Sequence, residues 1–108
     1  MAVENRSLHK NSYANQELHH LYEIIDRGND HDVFKYGICC KPIDENGTSS
    51  RMREQVNALN RIDKWLRFFA RVLVRDIPGK KAAREIERRY IQEYIEKNGE
   101  RPRGNPTN

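Results

Sequence analysis

The chain reads as a small α+β fold, a three-stranded, mostly antiparallel sheet flanked by two helices in the order β-hairpin, helix, strand, helix. Three observations predict it. Two short runs rich in β-branched and aromatic residues flank the turn-forming segment Arg27-Gly28-Asn29-Asp30-His31. Two later segments carry apolar residues at helical spacing, with boundary residues suited to helix ends. Between those helices lies a third β-rich run that stops at Pro78-Gly79.

Taken in order, residues 1–17 are polar and aperiodic, and the sequence predicts a flexible N-terminal arm over 1–19 followed by one domain over 20–108. Leu21-Tyr22-Glu23-Ile24-Ile25 and Val33-Phe34-Lys35-Tyr36-Gly37-Ile38 are the strands of the hairpin. A polar loop from Lys41 to Thr48 follows, holding Pro42 and Asn46-Gly47. Ser49 or Ser50 is a good N-cap for a helix running to about 59–62. Its apolar face is Met52, Val56 and Leu59, widened by Ala58 and Ile62. Leu66 to Ile77 is expected to be the third and central strand. The last helix spans about 80–98, with Gly99 where a C′ glycine belongs, and the tail with Pro102, Gly104 and Pro106 is irregular.

Composition narrows the function classes. With 108 residues, 36% apolar and 33% charged, one domain is the natural count. Apolar stretches such as Val72-Leu73-Val74 are broken by arginines, which excludes a membrane span, and the sequence predicts no secretory signal of its own. The two cysteines are adjacent, Cys39-Cys40, so neither a disulfide scaffold nor a CxxC metal or redox motif is available. Twenty Lys and Arg against sixteen Asp and Glu give a net charge of +4. The basic residues recur through the second half, interleaved with carboxylates, a surface that suits an anionic polymer.

One acidic residue is out of place. In the last helix Ala82, Ala83, Ile86, Tyr90, Ile91, Tyr94 and Ile95 share an arc, and Glu87 falls in its middle. Glu85, by contrast, lies on the solvated side with Arg89 and Glu96. A carboxylate on an apolar face is costly unless paired or bound to a cation. Glu87 therefore either salt-bridges an arginine of the first helix or central strand, or has a metal-ligating or catalytic role. Arg51, beside Gln55 at the rim of the first helix's apolar face, sits where the macrodipole disfavours a cation. Either an anion compensates it or it is a solvated, snorkelling arginine. Arg53 points more nearly to water.

These features meet in one pattern. Leu21-Tyr22-Glu23-Ile24, then Lys35-Tyr36-Gly37-Ile38, then an arginine opening a helix, a glutamate on a late helix and a final asparagine resemble the GIY-YIG nuclease superfamily over about residues 20–105. By this resemblance Tyr22 matches the first motif's tyrosine and Gly37 the second motif's glycine. Arg51 matches the helix arginine, Glu87 the metal-binding glutamate and Asn105 the terminal asparagine. The first motif, His20-Leu21-Tyr22, lacks its glycine, and Lys35 stands where the family usually has tyrosine. A one-residue register shift would bring Tyr36 there instead, since alternate strand residues face opposite ways. The loop before Arg51 is longer than usual, which leaves Arg53 as a rival. The Lys-Tyr-Gly sequence, the Pro-Gly before the last helix and the Arg-Pro-Arg-Gly-Asn tail also resemble the URI-type toxin domains of this superfamily, found at the C-termini of bacterial polymorphic toxins.

The resemblance implies a metal-dependent endonuclease, DNA favoured over RNA, delivered as part of a larger toxin into a target cell's cytoplasm and neutralised by a cognate immunity protein. It implies one Mg²⁺ or Mn²⁺ ion held by Glu87. Tyr22, with Lys35 or Tyr36 beside it, would accept the proton of the attacking water, and Arg51 would grip a phosphate oxygen. His20, two residues before Tyr22 on the same strand face, is either a candidate to assist at the substrate with Arg53 and Asn105 or a plain surface histidine. His9, His19 and His31 show no ligand spacing. Two other classes remain open: a non-catalytic nucleic-acid-binding module in which Glu87 pairs with Arg51, and a metal-independent ribonuclease toxin with His20 as base.

Overall fold

In a computed structural model, which describes residues 16–107, the chain forms β1 (Leu18–Asp26), β2 (Asp32–Cys39), α1 (Ser50–Asp63), β3 (Phe68–Pro78) and α2 (Lys80–Asn98). The expected α+β class and element order are what is found. Most of the predicted arm, and His9 with it, lies outside the described residues. No described helix is long and apolar enough to cross a membrane.

The sheet is antiparallel with strand order β2-β1-β3. This corrects one expectation, because the central strand is β1 and the β-rich third run is an edge. The residues explain the reversal. In β1 every position after Leu18 is buried, whereas β3 exposes Arg71, Arg75 and Asp76. Four of the buried β1 side chains are polar (His19, His20, Glu23 and Asp26), so the strand looks peripheral by hydropathy alone.

The two helices cover opposite faces of the sheet, so neighbouring residues of β1 enter different cores. Leu21 packs with Tyr36, Ile77, Ala83 and Ile91 on the α2 side. Tyr22 packs with Cys39 and Met52 on the α1 side. Only part of the predicted α1 face is used. Met52 is buried and Val56 and Leu59 are half-buried, but Ala58 is exposed and Ile62 is 77% exposed. Asn60 takes the inward position near the end of the helix, bonding the backbone of Phe68 through both amide atoms. The Ser49 hydroxyl caps α1 by accepting from the Met52 N–H, as the sequence predicts. Gly99 closes α2 in the left-handed conformation, with φ 80°.

The tail is irregular but firmly docked. Gly104 N donates to Phe34 O at 2.7 Å, which lays the chain along β2. One anchor of the tail is Asp26, whose side chain is fully buried at the end of β1. Its carboxylate accepts from Arg67 Nε at 2.6 Å and Nη2 at 2.9 Å, from Gly28 N, and from the Arg103 guanidinium of the tail. Burial opposes ionisation of Asp26, but the two guanidiniums and the backbone donor outweigh it and bring its pKa down to about 2.

A group whose pKa is depressed by folding contributes stability above its unfolded value and loses it as pH falls toward the folded one. Asp26→Asn should therefore be destabilised at neutral pH, and its deficit relative to the parent chain should shrink between about pH 4 and 2. The cost at pH 7 should be about 3 kcal/mol, the low end for breaking a buried pair, because both guanidiniums still reach water. Urea unfolding of both proteins across that range checks the sign and the window.

Candidate functional site

One cavity of about 300 Å³ opens beside β1 and β2, between the N-terminal ends of the two helices. Four elements and the tail line it: Tyr22 from β1, Lys35 and Gly37 from β2, Arg51 and Gln55 from α1, Lys80, Arg84 and Glu87 from α2, and Asn105 from the tail. Residues from across the sequence thus converge here, although no two of the strand and helix motifs are adjacent in the chain.

Tyr22 reaches this cavity through a close approach. It pairs with Gly37 in the β1–β2 register, and its ring lies across that glycine. A Cβ on Gly37 would stand 2.4 Å from Tyr22 Cζ and 2.5 Å from its Oη. Position 37 has to be glycine for the phenol to lie flat on the strand. The hydroxyl donates to Gln55 Oε1 at 2.6 Å, which aims it at α1. Its pKa is pushed up to about 12, first by burial, with Cys39 and Glu87 adding. Arg51 and the Gln55 hydrogen bond pull the other way and do not overcome the burial.

Lys35 and Tyr36 are separated by the pleat. Lys35 shares the strand face of Gly37 and feels both Arg51 and Glu87. Burial and Arg51 lower its pKa, and Glu87 acts against them. Tyr36 turns its ring into the other core, 5.5 Å from that of Tyr90. There burial pushes the hydroxyl up to about 12, with Glu23 and Tyr90 contributing. It is therefore the lysine whose charge couples to Glu87 and Arg51.

Arg51 and Arg53 diverge in the same way. Arg51 is exposed and lines the cavity. Arg53 is engaged by the 41–48 loop, with its Nη2 2.5 Å from Asp44 Oδ2 and its Nη1 donating to the Thr48 hydroxyl and carbonyl. Glu87 is buried, as the helical wheel predicts, and its partner is Arg84 of its own helix, Nη1 to Oε1 2.8 Å. Of the two alternatives the sequence leaves, pairing named an arginine of α1 or β3, and the pair found is instead within α2. The i,i+3 spacing within α2 makes Arg84 the nearer cation.

Asn105 borders the cavity, but its amide is occupied. Oδ1 accepts from Tyr36 N at 2.8 Å and Nδ2 donates to Tyr36 O at 2.9 Å. It fastens the tail to β2 as a surrogate strand residue. His20 is buried against the Tyr22 ring, 6.1 Å between centroids, and does not line the cavity. Its Nε2 has no hydrogen-bond partner among the described residues, and burial lowers its pKa. His19 lines the cavity instead, beside a register shift in the β1–β3 pairing.

Among the lining residues to which the sequence assigns no role are Gln55, Lys80 and Arg84. A signal existed, since 80, 84 and 87 form an i, i+4, i+7 stripe on α2 and 51 and 55 an i, i+4 pair on α1. Lys80 is buried, and burial with Arg84 and Arg51 lowers its pKa. The described lining holds five cationic side chains (Lys35, Lys41, Arg51, Lys80 and Arg84) and one carboxylate, Glu87. Such a site is built for an anion with a single acidic group set inside it.

Residues 12–99 match the family model described as URI fold toxin 2. No curated protein matches the chain, and no solved structure does.

The Tyr22–Gly37 approach is directly testable. Gly37→Ala should cost about 1–3 kcal/mol in thermal or urea unfolding, as overpacking does, because the ring must leave the strand. Its near-ultraviolet circular dichroism should change with it, and an unaltered spectrum would mean the ring does not lie where described.

Proposed function

The chain belongs to the URI fold toxin 2 family, and from that premise we propose that it is the effector domain of a bacterial toxin acting as a metal-dependent endonuclease on nucleic acid, DNA favoured. The observation that carries the reading is the convergence of Tyr22, Lys35, Arg51 and Glu87 from four elements on one cationic cavity. Fold alone would not support it, since function resides in sites rather than topologies. The resemblance to GIY-YIG nucleases rests on three of these, Tyr22, Arg51 and Glu87, together with Gly37 and Asn105, while Lys35 stands where that family usually has tyrosine.

In this reading the phosphodiester enters against Arg51, whose planar fork holds two non-bridging oxygens and stabilises the charge that builds on them. Lys80 and Lys35 add positive charge at short range. Tyr22 donates its own proton to Gln55, which leaves its oxygen lone pairs to hold the attacking water. Because burial raises the phenol to about 12, Tyr22 is mostly protonated at neutral pH. Its first task is to orient the water, and proton acceptance improves as pH rises.

A divalent ion, Mg²⁺ or Mn²⁺, would be held by Glu87. Among the described residues no group of three or more His, Cys, Asp or Glu side chains could hold a metal. The donor set instead fits an ion that keeps most of its waters and shares one protein carboxylate with a substrate phosphate. Bound in that way, the ion would supply Lewis-acid polarisation and charge for the leaving oxygen. Delivery into a target cell and neutralisation by an immunity protein follow from the same reading, and an immunity protein's acidic surface would suit the cavity's charge.

Purified protein with Mg²⁺ should nick plasmid DNA, and EDTA should stop it. Glu87→Gln should lower cleavage by at least about 10²-fold with the circular dichroism spectrum kept. Undiminished cleavage by that variant would remove the assignment. Arg51→Ala should lose about 10²–10³-fold, whereas Arg53→Ala should lose only stability, through its loop. The cleavage rate should climb with pH through neutrality, roughly tenfold per unit and without a plateau below about pH 9, as a high-pKa base requires. Tyr22→Phe should flatten that slope.

A further inference from the structure

We infer that Arg84 is an internal counter-ion that closes the Glu87 carboxylate to a divalent cation until a phosphate draws the guanidinium away, so that nucleic acid binds first and creates the metal's affinity. The inference deepens the nuclease reading and rests on it.

Three observations support it. Arg84 Nη1 lies 2.8 Å from Glu87 Oε1, one turn earlier on α2, and the Glu87 side chain is only 10% exposed. The carboxylate that would receive an ion is thus already paired. Arg84 is itself 38% exposed and lines the cavity, so it can turn toward an occupant without unpacking a core. Its guanidinium carries five donors in a fork, a geometry that suits phosphate at least as well as carboxylate.

The surrounding charge gives the order. A bare divalent cation approaching Glu87 meets Lys35, Lys41, Arg51, Lys80 and Arg84, and is repelled by more positive charges than attract it. A phosphodiester meets the same residues as attraction. Once seated, it offsets part of their charge, offers Arg84 an alternative acceptor and adds an oxygen ligand beside Glu87. Burial lowers the pKa of both Lys35 and Lys80, which is the cost that an anion in the cavity would relieve. By linkage the effect is reciprocal: phosphate tightens the metal and the metal tightens phosphate.

The test uses the full chain and Mn²⁺ alone, its free concentration followed by electron paramagnetic resonance. Arg84→Gln should bind Mn²⁺ about tenfold or more tightly than the parent protein in the absence of nucleic acid. Adding Glu87→Gln to that variant should abolish the gain, and Arg84→Lys should keep the site closed. In EDTA, a fluorescent DNA duplex should bind the parent protein and bind Arg84→Gln more weakly. Equal Mn²⁺ affinity in the parent and Arg84→Gln, including no binding in either, overturns the inference, as does a gain that survives Glu87→Gln. A parent protein that cleaves DNA with Mg²⁺ but shows equal Mn²⁺ affinities loses only this inference. One that never cleaves loses the nuclease reading, whatever the Mn²⁺ result.

Discussion

A nine-residue strand buried on both faces cannot carry two carboxylates unless something answers them, and much of this structure is that answer. Asp26 draws Arg67 from just before β3 and Arg103 from the tail. Glu23 takes Arg71 across the sheet, Nε to Oε2 2.5 Å. The outcome is a small sheet whose central strand is tied by charge to the segments around it. The tail, which has no helix or strand of its own, is held by Arg103 at one point and by Asn105 on the Tyr36 backbone at another. Since Asn105 and its neighbours form one wall of the cavity, the pairing of a buried carboxylate far along β1 helps to shape the site.

The same burial that stabilises β1 governs the chemistry at the cavity. Removing water raises the Tyr22 phenol and lowers the Lys35 and Lys80 ammoniums, so all three are pushed toward their neutral forms. An arginine resists this far better than a lysine, because its charge is delocalised and its intrinsic pKa is much higher. Arg51 and Arg84 are therefore the dependable cations of the site, and the lysines are the adjustable ones. A lone carboxylate in such surroundings takes the nearest guanidinium, which is what Glu87 does.

The hairpin, both helices and one cap of each were legible in the sequence because each rests on local physics: turn residues at 27–31, a serine N-cap, helical spacing of apolar residues and a terminal glycine. Glu87 stood out for a related reason, since helical periodicity alone assigns a residue to a face. Sheet order was not legible. Hydropathy ranks β3 above β1, and only the long-range partners of Glu23 and Asp26 reveal why a polar strand lies in the middle. The role of Asn105 was also hidden, because nothing local tells whether a loop amide will face an open cavity or a neighbouring backbone.

What the chain determined by itself was a set of elements and the face each residue occupies, because helix and strand periods are fixed by backbone geometry. What only the tertiary structure decided was which of two neighbours enters the site: Lys35 rather than the Tyr36 hydroxyl, Arg51 rather than Arg53, and His19 rather than His20. Those choices depend on strand register and on competing partners elsewhere in the fold, such as Asp44 for Arg53. A residue's own neighbours in the sequence carry no record of these.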